Sequence, residues 1–67
     1  MTITVTRRIN AEKAYESVFP DAILAEVCLE VAGGGYSAGQ TAAAMQLRQQ
    51  VEETGSGKLG KVTVTKS

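Results

Sequence analysis

The chain has 67 residues, one cysteine, no histidine, and seven acidic against seven basic side chains. A chain this short forms a single domain, 1–67, and buries only about 60% of the surface that it exposes when unfolded. A lone cysteine excludes an internal disulfide, and the lack of histidine removes the usual zinc ligand sets. We therefore expect no metal and no cofactor, and we expect a homodimer, since self-association is the remaining aid to a thin core.

The sequence has neither a leader pattern nor a spanning segment. The residues that follow Arg7 and Arg8 are mostly polar, which does not suit a secretory signal. No apolar run approaches the roughly 20 residues needed to cross a bilayer. We expect a soluble, cytoplasmic protein with no membrane partner.

Both ends of the chain alternate in the manner of half-buried strands. In TITVTRRI, the side chains of Ile3, Val5 and Ile9 share one face. In KVTVTK, Val62 and Val64 do the same. The pattern predicts strands at about 2–9 and 59–66 that pair with each other.

The middle of the chain has helical spacing. Asn10 is a good N-cap for a helix over 11–18, which must end before Pro20 because the residue before proline avoids helical geometry. A second helix over 20–32 places Val27 and Cys28 on its apolar stripe, and Gly33 ends it. A third helix is predicted over 38–53, and Gly55 ends it. The predicted fold is α+β, with two terminal strands packed on two to three helices in the order β-α-α-α-β.

The stretch GGYSAGQT resembles a phosphate-binding loop in which Gln40 replaces the lysine. Such a loop follows a strand in a large α/β domain, whereas a helix is predicted before Gly34. Ser37 and Gln40 have the spacing of a capping box. In this motif each side chain accepts a hydrogen bond from a backbone amide at the start of a helix. We interpret this stretch as the start of the third helix and not as a nucleotide site.

No residue set suits catalysis. Without histidine, Cys28 has no activating base, and its position on an apolar stripe favours burial in the core. Glu26 and Glu30 lie four apart on one helical face, which is typical of a solvated surface. We expect a protein that is not an enzyme.

A protein-binding site is the leading functional hypothesis. Tyr36 lies among glycines, and exposed aromatic residues are common anchors of protein interfaces. The alternative is that its ring covers the core. The candidate partner-binding residues are Tyr36, Gly34, Gly35 and Met45, although Met45 also suits core packing. The function that we expect is a small interaction module that binds a larger protein, as an accessory regulator or as a phage-encoded inhibitor does.

A nucleic-acid site is the alternative hypothesis. Paired terminal strands would place Thr2, Thr4, Thr6, Arg8 and Lys61, with Thr63 and Thr65, on one polar and positive face. Such a face can contact phosphates, and a two-stranded ribbon fits the DNA major groove. The other interpretation is an ordinary solvated sheet face.

TITVTRR, the helical segments and the Gly-containing turn resemble the ribbon-helix-helix repressors over about residues 2–53. The resemblance implies a dimer that reads DNA with its N-terminal strand, with Thr2, Thr4, Thr6 and Arg8 facing outward. The chain differs from that family in having the predicted helix over 11–18 and a strand after the helices.

Overall fold

A computed structural model describes residues 1–34 and 37–67. It contains four strands and two α-helices. The strands are β1 (Thr2–Arg8), β2 (Ala14–Pro20), β3 (Ser56–Leu59) and β4 (Val62–Lys66). The helices are α1 (Leu24–Val31), which follows a short 3-10 helix (Asp21–Ile23), and α2 (Ala38–Thr54). The α+β class is confirmed, but the predicted β-α-α-α-β order is wrong.

The strands form one antiparallel sheet in the order β2-β1-β4-β3. β1 and β4 are the central pair, with Val5 opposite Val64, so the predicted pairing of the two ends is confirmed. The helices cover one face of this sheet. We call the opposite, uncovered side the outer face.

The core lies between the sheet and the helices. Ile3 of β1 and Val64 of β4 are completely buried there, which confirms the inward positions expected from the alternation, and Val51 of α2 is completely buried with them. Ile9 differs, because it is 58% exposed beyond the end of β1. Among the described residues, the buried core consists of Ile3, Val5, Leu24, Val27, Cys28, Ala44, Leu47, Val51 and Val64.

The predicted helix over 11–18 is wrong, since this segment is the hairpin turn and β2. The side chain of Asn10 does accept from two backbone amides, Glu12 N at 2.9 Å and Lys13 N at 2.8 Å. This arrangement is an Asx turn, which uses the same local hydrogen bonds as a helix N-cap. The chain continues into a strand because β1 offers an unpaired edge, and Thr4 then pairs with Val18.

The second predicted helix begins later than expected, because Pro20 is extended (φ −60°, ψ 143°) and ends β2. The third predicted helix, over 38–53, is confirmed, because α2 covers Ala38–Thr54. Ser37 caps α2 by accepting from the Gln40 amide, and its hydroxyl donates to the Gln40 side chain at 2.9 Å. Gly55 ends α2 in the left-handed region at φ +81°.

The last predicted strand, about 59–66, is two strands joined by a two-residue turn. Leu59 pairs with Val62 across Gly60 and Lys61. Gly60 has φ +59°, and a positive φ at the first central position is what a type II′ turn requires. The stretch GSGKLG, from Gly55, has the glycine content of a flexible loop, but it is the end of α2 followed by β3.

Candidate anion-binding face

The outer face consists of the side chains that alternate away from the core. Thr6 lies opposite Thr63 on β4, and Thr63 lies opposite Lys58 on β3. Thr4 lies opposite Thr65, which in turn pairs with Ser56. Neighbouring strands are about 4.8 Å apart, so these rows form a grid of hydroxyl groups.

A cluster of positive side chains occupies one end of the grid. Arg8, Lys58 and Lys61 line a concavity of about 350 Å³, together with Thr6, Gly60 and Thr63. The β3–β4 turn brings Lys61 beside the end of β1, where the Arg8 amide donates to the Lys61 carbonyl oxygen at 3.0 Å. We call Arg8, Lys58 and Lys61 the basic cluster.

The other basic side chains of the sheet differ in having acidic neighbours. Arg7 lies 3.9 Å from Glu30, and Lys66 lies 3.4 Å from Asp21. A third ion pair joins Arg48 to Glu52, both within α2. Among the residues that the structure describes, no acidic side chain forms an ion pair with the basic cluster.

The separation of charge explains how a neutral chain has a positive region. Five of the seven acidic residues lie on the 3-10 helix, α1 and α2: Asp21, Glu26, Glu30, Glu52 and Glu53. On the outer face, the acidic residue is Glu16 of β2, opposite Thr6. Repulsion among the three cations is lowest when an anion lies between them.

The residues that the sequence predicts for nucleic-acid binding lie together on the outer face and its adjoining turn. Thr2, Thr4, Thr6 and Arg8 are outward positions of β1, and Lys61 lies in the adjoining turn. Lys58 is absent from the sequence-based set because its segment, SGKL, has the composition of a loop. The alternation of Lys58 and Leu59 before a Gly-Lys turn was the available signal.

Of the four candidate protein-binding residues, the structure describes Gly34 and Met45. Gly35 and Tyr36 lie outside the described residues. Gly34 follows the end of α1 with φ +66°. Met45 is 66% exposed on α2, so the core-packing alternative is wrong for this residue.

A shallow groove of about 180 Å³ lies beside Met45, between α1 and α2. Its walls are mainly apolar, from Ala25, Leu29 and Ala44, with Thr41 and Arg48 at its margins. In this groove, the exposed side chain of Met45 adjoins a depression in the helical layer.

Cys28 has no exposed surface, and its thiol is free. Burial raises the pKa of the Cys28 thiol, so the nucleophilic thiolate is disfavoured. Within residues 1–34 and 37–67, no three His, Cys, Asp or Glu side chains are close enough to hold a metal ion. None of the helices described there is long and apolar enough to cross a membrane.

Comparisons with known proteins give no match to a family model, a curated protein or a solved structure.

Proposed function

We propose that this protein is a non-catalytic binding module whose outer face binds the phosphate groups of nucleic acid. One observation carries the proposal: three cations that form no ion pair with any described acidic residue surround a concavity that also presents two threonine hydroxyls. Lysine and arginine supply the charge for phosphate binding, and hydroxyl groups donate hydrogen bonds to phosphate oxygens.

The width of the sheet indicates the manner of contact. Four strands separated by about 4.8 Å span about 14 Å, whereas the major groove is about 12 Å wide. Because β1 lies between β2 and β4, it is not free to enter the groove as a two-stranded ribbon does. We therefore infer contact with the sugar-phosphate backbone and no reading of base sequence.

Single-stranded nucleic acid is bound by many proteins through aromatic stacking in addition to charge. Among residues 1–34 and 37–67, the outer face has no aromatic side chain, since Tyr15 and Phe19 of β2 alternate toward the helix side. We therefore expect binding to be mainly electrostatic and to weaken steeply with salt. If all three cations neutralise phosphates, log K should fall with log[salt] with a slope of about −2.7 for a duplex.

Titration of a fluorescent DNA duplex at several salt concentrations tests this proposal. Arg8→Gln, Lys58→Gln and Lys61→Gln should each reduce the magnitude of the salt slope by about 0.9. Arg7→Gln is the matched control. It changes the net charge by the same amount as Arg8→Gln, but the Arg7 side chain points to the helix side of the sheet, near Glu30. Equal weakening by Arg7→Gln and Arg8→Gln, or no binding at low salt, would contradict the proposal.

Binding of a larger protein is the second candidate function, and exposure of Met45 beside the apolar groove favours it. Its test is capture from a bacterial lysate after nuclease treatment. A protein that is retained by the native chain but not by Met45→Glu or Tyr36→Ala would support this function. Gln46→Glu, which adds the same charge to a neighbouring exposed position, is the control.

A further inference from the structure

The second edge of the sheet offers another binding surface, which is independent of the basic cluster. β2 is an edge strand of seven residues, and all of them except Phe19 are exposed. β3, at the opposite edge, has four residues, carries Lys58 and packs against α2. Short strands, lysines and prolines are common protections against edge pairing, whereas β2 is long, has no lysine and carries its one proline at its last residue.

The hydrogen bonds of β1 show which backbone groups of β2 are unpaired. The backbone groups of the even-numbered residues of β1 form hydrogen bonds on the side of β4. The Ser67 amide donates to the Thr2 carbonyl oxygen, and the Arg8 amide donates to the Lys61 carbonyl oxygen, both at 3.0 Å. Just after β1, the Ile9 amide donates to the Lys13 carbonyl oxygen, which lies on the side of β2. Odd-numbered residues of β1 therefore bond to β2.

The register then assigns the outward groups of β2. Val5 lies opposite Ser17, and Arg7 lies opposite Tyr15, so Tyr15 and Ser17 direct their amide and carbonyl groups toward β1. Ala14, Glu16 and Val18 alternate with them and direct theirs toward solvent. An antiparallel strand could pair with this row of donors and acceptors.

We propose that the occupant of this edge is β2 of a second copy, which forms a symmetric dimer centred on Ser17. A two-fold axis at Ser17 places Glu16 of each copy opposite Val18 of the other. Their outward amide and carbonyl groups then bond reciprocally. The same register places Tyr15 opposite Phe19 on the helix side, on both sides of the axis.

The side chains favour this register over its neighbour. Moving the axis to Glu16 would place two carboxylates directly opposite each other, which is destabilising. It would also separate the aromatic side chains. Tyr15 is 56% exposed in the single chain, and contact with an aromatic side chain across the strands would cover it. Val18, 61% exposed, would be covered partly by the aliphatic stem of Glu16.

Proline at the end of β2 is compatible with the arrangement. Pro20 would lie opposite Ala14, where its carbonyl oxygen can accept although it has no amide to donate. The chain then leaves the sheet through the 3-10 helix at Asp21. The joined sheet therefore ends at Pro20 in both copies.

Disulfide crosslinking tests both the dimer and its register. In this register Ser17 faces itself as a non-hydrogen-bonded pair, with Cα atoms about 4.5 Å apart, which is within the range for a disulfide. Ser17→Cys should form a covalent dimer under mild oxidation, and Glu16→Cys should not. Native Cys28 is fully buried, so the unmodified chain is an internal control. Preferential crosslinking of Glu16→Cys would overturn the proposed register.

Sedimentation equilibrium provides the second measurement. The native protein should reach twice the chain mass at micromolar to hundred-micromolar concentration. Val18→Pro removes an outward amide without removing a bond to β1, and it should weaken the dimer at least tenfold. Val18→Thr keeps the amide and should remain dimeric, and circular dichroism would verify folding of both. A monomeric native protein at these concentrations, or equal dimerisation of the two variants, would refute the proposal.

Discussion

Replacement of Gly57 by alanine tests the contact that holds α2 on the sheet. A Cβ atom at this position would lie 3.1 Å from the Leu47 carbonyl oxygen and 3.1 Å from Val51 Cγ2. It would also lie 2.8 Å from Leu47 Cδ1. Leu47 and Val51 are buried, and a helix carbonyl cannot rotate away. The helix as a whole must shift, so the added methyl group should destabilise the fold.

The magnitude is a balance of two effects. Overpacking of a core costs about 1–3 kcal/mol. Loss of glycine freedom in the unfolded chain offsets about 0.4–1 kcal/mol. From the middle of each range, the net loss is about 1.3 kcal/mol, a large fraction of the roughly 3–5 kcal/mol that such a small core supplies. In a domain of this size the thermal midpoint should fall by about 5–10 °C.

Urea and thermal unfolding followed by circular dichroism would measure the loss. Gly39→Ala is the matched control, since its Cβ would meet nothing within 4 Å in the first turn of α2. Alanine is the better helix former, so this variant should gain about 0.5 kcal/mol. A Gly57→Ala protein as stable as the native one would refute the close approach of α2 to β3.

Three further outcomes follow from local contacts and can be measured by the same unfolding assays. Asn10→Ala should lose about 1 kcal/mol, because two backbone amides of the β1–β2 turn lose their acceptor. Ser37→Ala should lose about 0.5–1 kcal/mol through the N-cap of α2, whereas Ser37→Asp should retain most of the stability. The raised pKa of Cys28 contributes stability that is complete below about pH 8.5, the pKa of a free thiol, and that is lost as the pH rises through the folded value. Cys28→Ala should remove this alkaline loss, and the native thiol should react with a disulfide reagent only on unfolding.

Much of the fold could be predicted because local signals and burial agree. In β1, one alternating pattern identifies both the strand and its inward residues, and Ile3 and Val5 are buried as expected. In α2, the Ser37 cap, the apolar stripe and the Gly55 exit all indicate the same helix. When independent patterns agree in this way, few alternative structures compete.

The candidate site was predictable only in part. Outward positions of β1 follow directly from its alternation, which is why Thr6 and Arg8 were identified. Lys58 belongs to a strand of four residues that contains a glycine, and this pattern is typical of a loop. Its position depends on pairing with β4, where Lys58 lies opposite Thr63.

The elements whose apolar residues repeat on one face follow from local sequence patterns, as do their caps and turns. The strands β2 and β3 depend instead on contacts with the rest of the fold. The Asx turn at Asn10 is equally suited to a helix or a hairpin, and β2 is exposed on both faces, so it has no apolar alternation. β2 is a strand because the edge of β1 needs hydrogen-bond partners, and β3 contains Gly57 because α2 crosses too closely for a side chain.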